Sequence, residues 1–253
     1  MDLFDSYDIE SPLFWDTNPL YSNQEGVMLW DSIVKEFKLK NNEKVLHLAC
    51  GAGDLSCMAA KYVKNGKIYA LDYSRGSLSK LKEKIDNPHE MTFLQAFYAL
   101  SDLINPMELF SAKYNHGALD LILKRLSKKG KAKSRARWLL KDLKERTETS
   151  KNIILEWGTA AKIEFDNQFF DCSFTFESIP ILDGSTHMKW VAEMCRVTKD
   201  RLFIVGFGIN KKHLDLVKNN GFEIISFESK KLYSPLFEED FPLVDKILFA
   251  KRK

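Results

Sequence analysis

A short apolar run that ends in a glycine turn is the part of this chain best suited to chemistry. Residues 45–53 read Val-Leu-His-Leu-Ala-Cys-Gly-Ala-Gly, and an apolar helix pattern follows them. Gly51 and Gly53 lack a Cβ, so the backbone can approach a ligand closely there. A second apolar run, residues 68–71, ends in Asp72. An ionised carboxylate accepts two hydrogen bonds, which suits the two adjacent hydroxyls of a ribose.

The order of these features is that of half a nucleotide-binding unit: strand, glycine turn, helix, and a strand that ends in a carboxylate. It predicts a cofactor of the adenosine type. A nicotinamide cofactor is a weaker alternative, because such sites usually have a third glycine where this chain has Ser56. A tight turn formed for packing alone is the other alternative.

Length and composition set the class of protein. The chain has 253 residues, of which 45% are hydrophobic and 29% charged, as expected for one globular domain with room for an insertion. No apolar run approaches the roughly 18 residues that a membrane span needs, and the acidic start at residues 1–5 resembles neither a secretory signal nor a transit peptide. Four cysteines without Cys-x-x-Cys spacing predict reduced thiols, no metal site and a cytoplasmic location: Cys50, Cys57, Cys172 and Cys195.

The positive charge is concentrated in one segment. Between Lys124 and Arg146 lie eleven basic and two acidic residues, a net charge of +9, whereas the whole chain carries +3. Two amphipathic helix patterns, separated by Gly130, cover this segment. Either the basic face grips RNA phosphates, with Trp138 as a stacking residue, or it is the solvated outer face of two helices.

Hydrophobic periodicity predicts an α/β fold: a doubly wound, mostly parallel seven-stranded sheet with an antiparallel C-terminal strand, plus a helical insertion. The third strand has two candidates, 91–95 and 152–157, and the second is preferred because the segment after it also fits. Residues 1–43 are then an N-terminal lid or helical segment, and 44–253 the main domain with a basic helical insertion at 90–150. The other predicted strands are 44–49, 67–72, 170–176, 201–207, 222–228 and 246–250, and the predicted helices are 25–38, 54–64, 75–86, 186–196 and 210–219.

Several of these segments together resemble the class I methyltransferases that depend on S-adenosylmethionine. The glycine turn resembles the first motif of that family and residues 68–72 the second. Residues 158–171 resemble the third and fourth, and Glu193 with Arg196 resembles a helix end of its small-molecule members. The resemblance implies S-adenosylmethionine as the cofactor. It also implies cofactor-binding roles for His47, Ala49, Cys50, Gly51, Ala52, Gly53, Asp72, Tyr73, Thr159, Ala160 and Glu177.

The chain departs from the family pattern at four places. His47 stands where an acidic residue normally helps to hold the methionine amino group, and Ala49 replaces the first glycine. Thr159 replaces the aspartate that usually contacts adenine, and residues 198–200 replace a Pro-Gly-Gly turn. A cofactor-binding partner subunit without catalysis is therefore one alternative function.

Methyl transfer to a small molecule is the predicted activity. The fourth strand is followed by Glu177-Ser178-Ile179-Pro180 and not by the Asn/Asp-Pro-Pro-aromatic motif, which disfavours methylation of base amino groups. An RNA methyltransferase that uses the basic insertion is the alternative enzyme. No catalytic residue is assigned, because a polarised nucleophile needs no general base, and the oligomeric state is left open.

Overall fold

The computed structural model describes residues 31–88, 100, 105, 116–128, 130, 133–176, 184–206, 208–231 and 244–253. Three sequence predictions lie outside them: the N-terminal lid over residues 1–30, the alternative strand at 91–95, and Glu177. The bounds of the 90–150 insertion also stay a prediction, since only parts of it are described.

One seven-stranded sheet organises the described residues, in the order β3-β2-β1-β4-β5-β7-β6. The strands β1 to β5 run parallel, and β7 pairs antiparallel with both β5 and β6. The predicted mostly parallel sheet with an antiparallel ending is confirmed. The strands are β1 Lys44–Leu48, β2 Lys67–Asp72, β3 Ile153–Trp157, β4 Phe170–Phe176, β5 Thr198–Gly206, β6 Phe222–Lys231 and β7 Val244–Arg252.

Helices cover both faces of this sheet, because alternate residues of the buried strands point to opposite sides. On one face, the helical residues 31–36, α1 and α2 pack against a core that includes Val45 and Phe174. On the other, α5 and α6 pack against Leu46 and Ile204. The helices are α1 Asp54–Ala60, α2 Arg75–Asp86, α3 His116–Leu126, α4 Lys133–Thr149, α5 Gly184–Val197 and α6 Lys211–Asn219.

Several element ends differ from the predictions, and contacts with neighbouring elements explain two of them. Helix α1 ends at Ala60, not at residue 64, because the chain turns back toward β2 through Gly66, where a Cβ would lie 2.0 Å from the Glu43 carbonyl oxygen. Strand β5 begins at Thr198, directly after α5, where a loop was expected. The buried Thr198 hydroxyl hydrogen-bonds the Ser173 hydroxyl at 2.6 Å and so ties the start of β5 to β4.

The choice of residues 152–157 as the third strand is confirmed, since β3 pairs with β2 from Ile153 to Trp157. Helices α3 and α4, which precede it, form a hairpin with a small core of its own around Leu119, Leu123 and Leu139. In the part of the chain that the structure describes, no helix is both long and apolar enough to cross a membrane.

Candidate cofactor site

The strand order places the candidate site at the carboxyl edge of the sheet. Strand β1 lies between β2 and β4, so consecutive connections leave β1 and β4 in opposite directions. In doubly wound sheets a ligand binds outside the carboxyl ends of the strands at such a reversal. The glycine turn follows β1 and Asp72 ends β2, so both lie at this edge.

Asp72 is bonded to the glycine turn. Its Oδ2 accepts the Gly51 N–H at 2.7 Å, and its Oδ1 accepts the Ser74 N–H at 2.8 Å. The carboxylate is 7% exposed, and the Cys50 N–H bonds the Leu71 carbonyl at 3.1 Å. Gly51 and Asp72, with which the sequence analysis began, are therefore in direct contact. Each carboxylate oxygen keeps acceptor capacity beyond its backbone bond.

The turn itself is built from left-handed backbone. Ala49, Gly51 and Gly53 have φ angles of +54°, +53° and +78°. A Cβ on Gly53 would lie 2.3 Å from a methyl carbon of Leu81, so this glycine is required by packing. Among the described residues, no heavy atom lies within 4 Å of a Cβ built on Gly51. None of them therefore blocks the approach of a ligand to the backbone beside Asp72.

His47 is a core residue of this turn region and not an exposed ligand. Its ring is 3% exposed, stacks on Phe174 with ring centroids 4.3 Å apart, and its Nδ1 hydrogen-bonds the Ser56 hydroxyl at 2.7 Å. Burial lowers the pKa of His47 to about 3. The imidazole is therefore neutral at physiological pH, and it cannot replace the negative charge of the acidic residue found in the family.

Cys50 and Ala52, the other turn residues predicted at the site, are 6% and 4% exposed. Tyr73 is 46% exposed, directly after Asp72. Next to it Trp157, at 57% exposure, donates its indole N–H to the Tyr73 carbonyl at 2.9 Å and stacks under the Arg75 guanidinium. Sequence reasoning missed Trp157 and Arg75, although the position of Trp157 at the end of β3 was a usable signal.

The loop after β3 carries Thr159, which is exposed, and Ala160, which is buried. It is joined to β2 by a hydrogen bond from the Gly158 N–H to the Asp72 carbonyl, 3.1 Å long. Thr159 is therefore close to Asp72 along the same edge. The structure places all the predicted cofactor residues at or beside this edge except Glu177, which lies outside the described residues.

Glu193 and Arg196 fasten that loop to α5. Glu193 accepts the Ile163 N–H at 2.8 Å, and Arg196 donates to the carbonyls of Ile163 and Phe165 at 2.7 and 2.8 Å. Hydrogen bonds from Arg196 lower the pKa of Glu193, which keeps the pair ionised. The helix end that resembled the family therefore has a structural role, since it fixes the loop that bears Thr159.

Lys84, which the sequence analysis did not single out, connects α2 to the glycine turn. The Lys84 ammonium, from the last turn of α2, donates to the Ala52 carbonyl at 3.1 Å and to both oxygens of Asp54 at 3.1 and 3.2 Å. No local pattern could reveal this contact, because the partners are 30 or more residues apart.

The fold is doubly wound, and its candidate ligand site combines a glycine turn with a strand-end carboxylate. Residues 45–130 match the model of a family described as a methyltransferase domain. This match covers the first two motifs of the predicted resemblance to class I methyltransferases, and supports that resemblance there. The comparison with curated proteins found no match.

Solved structures with the same fold share little sequence with this chain. A methyltransferase from Aquifex aeolicus dependent on S-adenosylmethionine is 15% identical, with 88% of this chain and 89% of that chain covered and a TM-score of 0.51. Magnesium protoporphyrin IX methyltransferase from Synechocystis PCC 6803, with bound S-adenosylmethionine, is 11% identical, with 90% and 79% covered and a TM-score of 0.53. The [4+2]-cyclase SpnF is 14% identical, with 98% and 94% covered and a TM-score of 0.59. Because one of the three is a cyclase, the fold alone does not specify the reaction.

Proposed function

We propose that this protein binds S-adenosylmethionine across Gly51 and Asp72 and transfers its methyl group to a small-molecule acceptor. The observation that carries the proposal is the contact of the Asp72 carboxylate with the Gly51 N–H, next to the open space over Gly51. The two oxygens of a carboxylate suit two adjacent ribose hydroxyls, because each oxygen can accept more than one hydrogen bond. The methyltransferase-domain match over residues 45–130 supports the same cofactor.

The residues present suit the adenosyl group along this edge. Asp72 would hold the ribose, Tyr73 offers an exposed ring for the base, and Thr159 lies on the loop beside them. The methionine end differs from the family, since the neutral His47 offers it no charge. Its ammonium would therefore have to rely on backbone carbonyls of the turn.

The chemistry asks little of the side chains. When bound, S-adenosylmethionine supplies a methyl group that is already activated by its sulfonium. The protein holds the two reactants in line and keeps water out. A nucleophile that is acidic or already polarised needs no general base, and no side chain in the described residues is assigned one here.

Two glycines provide a matched test of cofactor binding. Gly51 and Gly130 both have positive φ, +53° and +96°, and a Cβ on either would meet no heavy atom of the described residues within 4 Å. Gly51→Ala and Gly130→Ala should therefore strain the backbone to a similar degree, about 1 kcal/mol each. Only Gly51→Ala places a methyl group where we expect the cofactor.

We expect calorimetric titration with S-adenosylmethionine and S-adenosylhomocysteine to show binding by the unchanged protein and by Gly130→Ala. Gly51→Ala should bind at least about tenfold more weakly. Equal affinity of the two variants would place the cofactor elsewhere. Absence of binding by the unchanged protein would remove the proposal altogether.

The acceptor can be sought without a prior guess. Incubation of a fractionated cell extract with the protein and tritiated methyl donor should place the label in low-mass material, resistant to ribonuclease. Label in RNA would support the alternative enzyme. Tight binding of S-adenosylhomocysteine, with no label in any fraction, would support a partner subunit without catalysis.

The basic hairpin gives the RNA alternative less support than its charge suggests. Lys124, Lys141 and Lys144 each lie within 4 Å of an acidic residue four positions away. Arg146 is buried, and Trp138 is half-buried and packs against both the hairpin core and the main core. These contacts are those of a solvated helical face, so RNA binding stays a prediction without a specific observation in its favour.

A further inference from the structure

The hairpin of α3 and α4 meets the helix behind the glycine turn through buried charges. Lys61, the residue after α1, pairs with Asp142 of α4, and Asp142 pairs also with Arg146 of the same helix. The three side chains are 10%, 2% and 3% exposed. Two cations thus share one carboxylate in a place that water barely reaches.

The other end of α1 is held by a second ion pair, which is partly buried. Lys84 contacts Asp54, the first residue of α1, and also the Ala52 carbonyl of the turn. A small cavity of about 10 Å³ joins the two groups of charges, because both Lys84 and Arg146 line it together with Cys57 of α1. Every residue of α1 is buried, so packing on all sides also restricts the movement of this helix.

Buried ion pairs are a poor source of stability, because desolvation offsets most of their attraction. Their best-attested use is to fix the position of one element against another. An apolar contact between α1 and α4 would stabilise the fold equally well but would tolerate small shifts. The Lys61–Asp142 pair tolerates fewer, since a shift leaves a buried charge without its partner.

We propose that the hairpin is a positioning device for the cofactor turn. In this proposal, which rests on the proposed function, Asp142 holds the end of α1 through Lys61, and Lys84 holds its beginning. The rigid α1 then fixes Gly51 and Gly53 at the distance from Asp72 that cofactor binding needs. Lys61, Lys84 and Asp142 are positioning residues and touch no substrate.

The shared carboxylate provides a matched pair of variants. Lys61→Met cuts the contact between α1 and α4 and leaves Asp142 with Arg146. Arg146→Met leaves the ion pair between Lys61 and Asp142 intact and changes only the wall of the cavity beside Cys57. Each variant removes one buried cation, so a purely structural role predicts similar effects of the two on cofactor affinity.

We expect Lys61→Met to weaken binding of S-adenosylhomocysteine by about tenfold and Arg146→Met by less than about twofold, in titrations well below both melting temperatures. Lys61→Arg should restore the affinity. Hydrogen exchange at the Gly51 and Gly53 amides should accelerate in Lys61→Met, while exchange in β4 stays unchanged. Equal affinities of the two variants, or affinities that simply follow their melting temperatures, would overturn the proposal.

Two further controls keep the outcome decisive. If Lys61→Met does not fold, Lys61→Gln removes the same charge at the contact with the hairpin and replaces it in the titration. Lys84→Met tests the hold on the beginning of α1, with the exposed Lys80→Met on the same helix as its control. If the unchanged protein binds no cofactor, the proposed function fails by itself. The exchange rates of the turn amides then still decide whether the hairpin holds the turn.

Discussion

The glycine turn and the hairpin of α3 and α4 place their charged groups in opposite ways. In the turn, backbone N–H groups of Gly51 and Ser74 hold one carboxylate, and none of the described residues fills the space over Gly51. Where the hairpin meets the end of α1, the side chains of Lys61 and Arg146 enclose Asp142. Backbone donors leave a carboxylate available to a ligand, whereas side-chain cations close it off. The first arrangement suits binding, and the second suits the positioning of one element against another.

The largest effect should come from the glycine that packing requires. Gly53→Ala should lower the free energy of unfolding by about 3 kcal/mol, from its left-handed backbone and its overlap with Leu81. Gly130→Ala in the hairpin, with no such overlap, should lower it by about 1 kcal/mol. Urea unfolding measures both. Similar losses in the two variants would show that Leu81 yields, and the turn would then be no tighter than the hairpin.

As the pH falls, the contribution of His47 to the free energy of unfolding should be lost before that of Asp142. His47 has a pKa of about 3 in the fold against 6.5 when free, so the unfolded chain takes up the proton first. Stability should fall as the pH drops below 6.5, by about 2 kcal/mol at pH 5. The hairpin carboxylate Asp142 has a lowered pKa through Arg146 and Lys61, against the effect of burial, so its contribution is lost only below about pH 4.

The control for this prediction is His47→Asn, which keeps a polar atom near Ser56 and has no proton to gain. Between pH 7 and pH 5, the free energy of unfolding of this variant should depend much less steeply on pH than that of the unchanged protein. Burial also lowers the pKa of His213, so a smaller slope should persist. An unchanged slope in His47→Asn would show that His47 is not the group responsible.

A smaller effect should follow from relief of strain in the turn. Ala49 has a φ of +54°, a conformation that glycine adopts without strain. Ala49→Gly should raise the free energy of unfolding by up to about 1 kcal/mol, the difference between the relieved strain and the greater freedom of the unfolded chain. Thermal melting measures the gain. A lower melting temperature would mean that the Ala49 methyl contributes packing that outweighs its strain.

The smallest effect should come from the lysine cluster at residues 128–133 of the basic segment. Replacement of Lys128, Lys129, Lys131 and Lys133 by Glu should leave retention of RNA on a filter unchanged within about twofold. Such a result would confirm that the basic face is a solvated surface. A large loss, accompanied by a shallower salt dependence, would instead establish a phosphate-binding face and revive the RNA alternative.

Local patterns predicted the elements of the sheet well. The apolar runs that became β1 and β2, and the glycine turn between β1 and α1, depend on neighbours within a few residues. The contact of Asp72 with Gly51 was also within reach, because parallel strands bring their carboxyl ends to one edge.

Long-range polar contacts were beyond sequence reasoning. Lys61 and Asp142 are 81 residues apart, and nothing near either residue marks them as partners. Arg146 was predicted to belong to the basic surface. The structure buries it, because it lies on the same face of α4 as the buried Leu139 and Leu143. The predicted end of α1 and the predicted start of β5 were wrong for a related reason. Gly66 and Thr198 determine these positions through contacts with residues distant in the sequence.

The thiol of Cys50 lies within the turn and carries a further consequence. Burial, and then the negative charge of Asp72, raise the pKa of this thiol well above its usual range. Since the thiolate is the reactive form, alkylating reagents and peroxide should modify Cys50 only slowly. The rate of that modification should therefore depend on the burial of the thiol and on the charge of Asp72, so it can be used to detect changes in the structure of the turn.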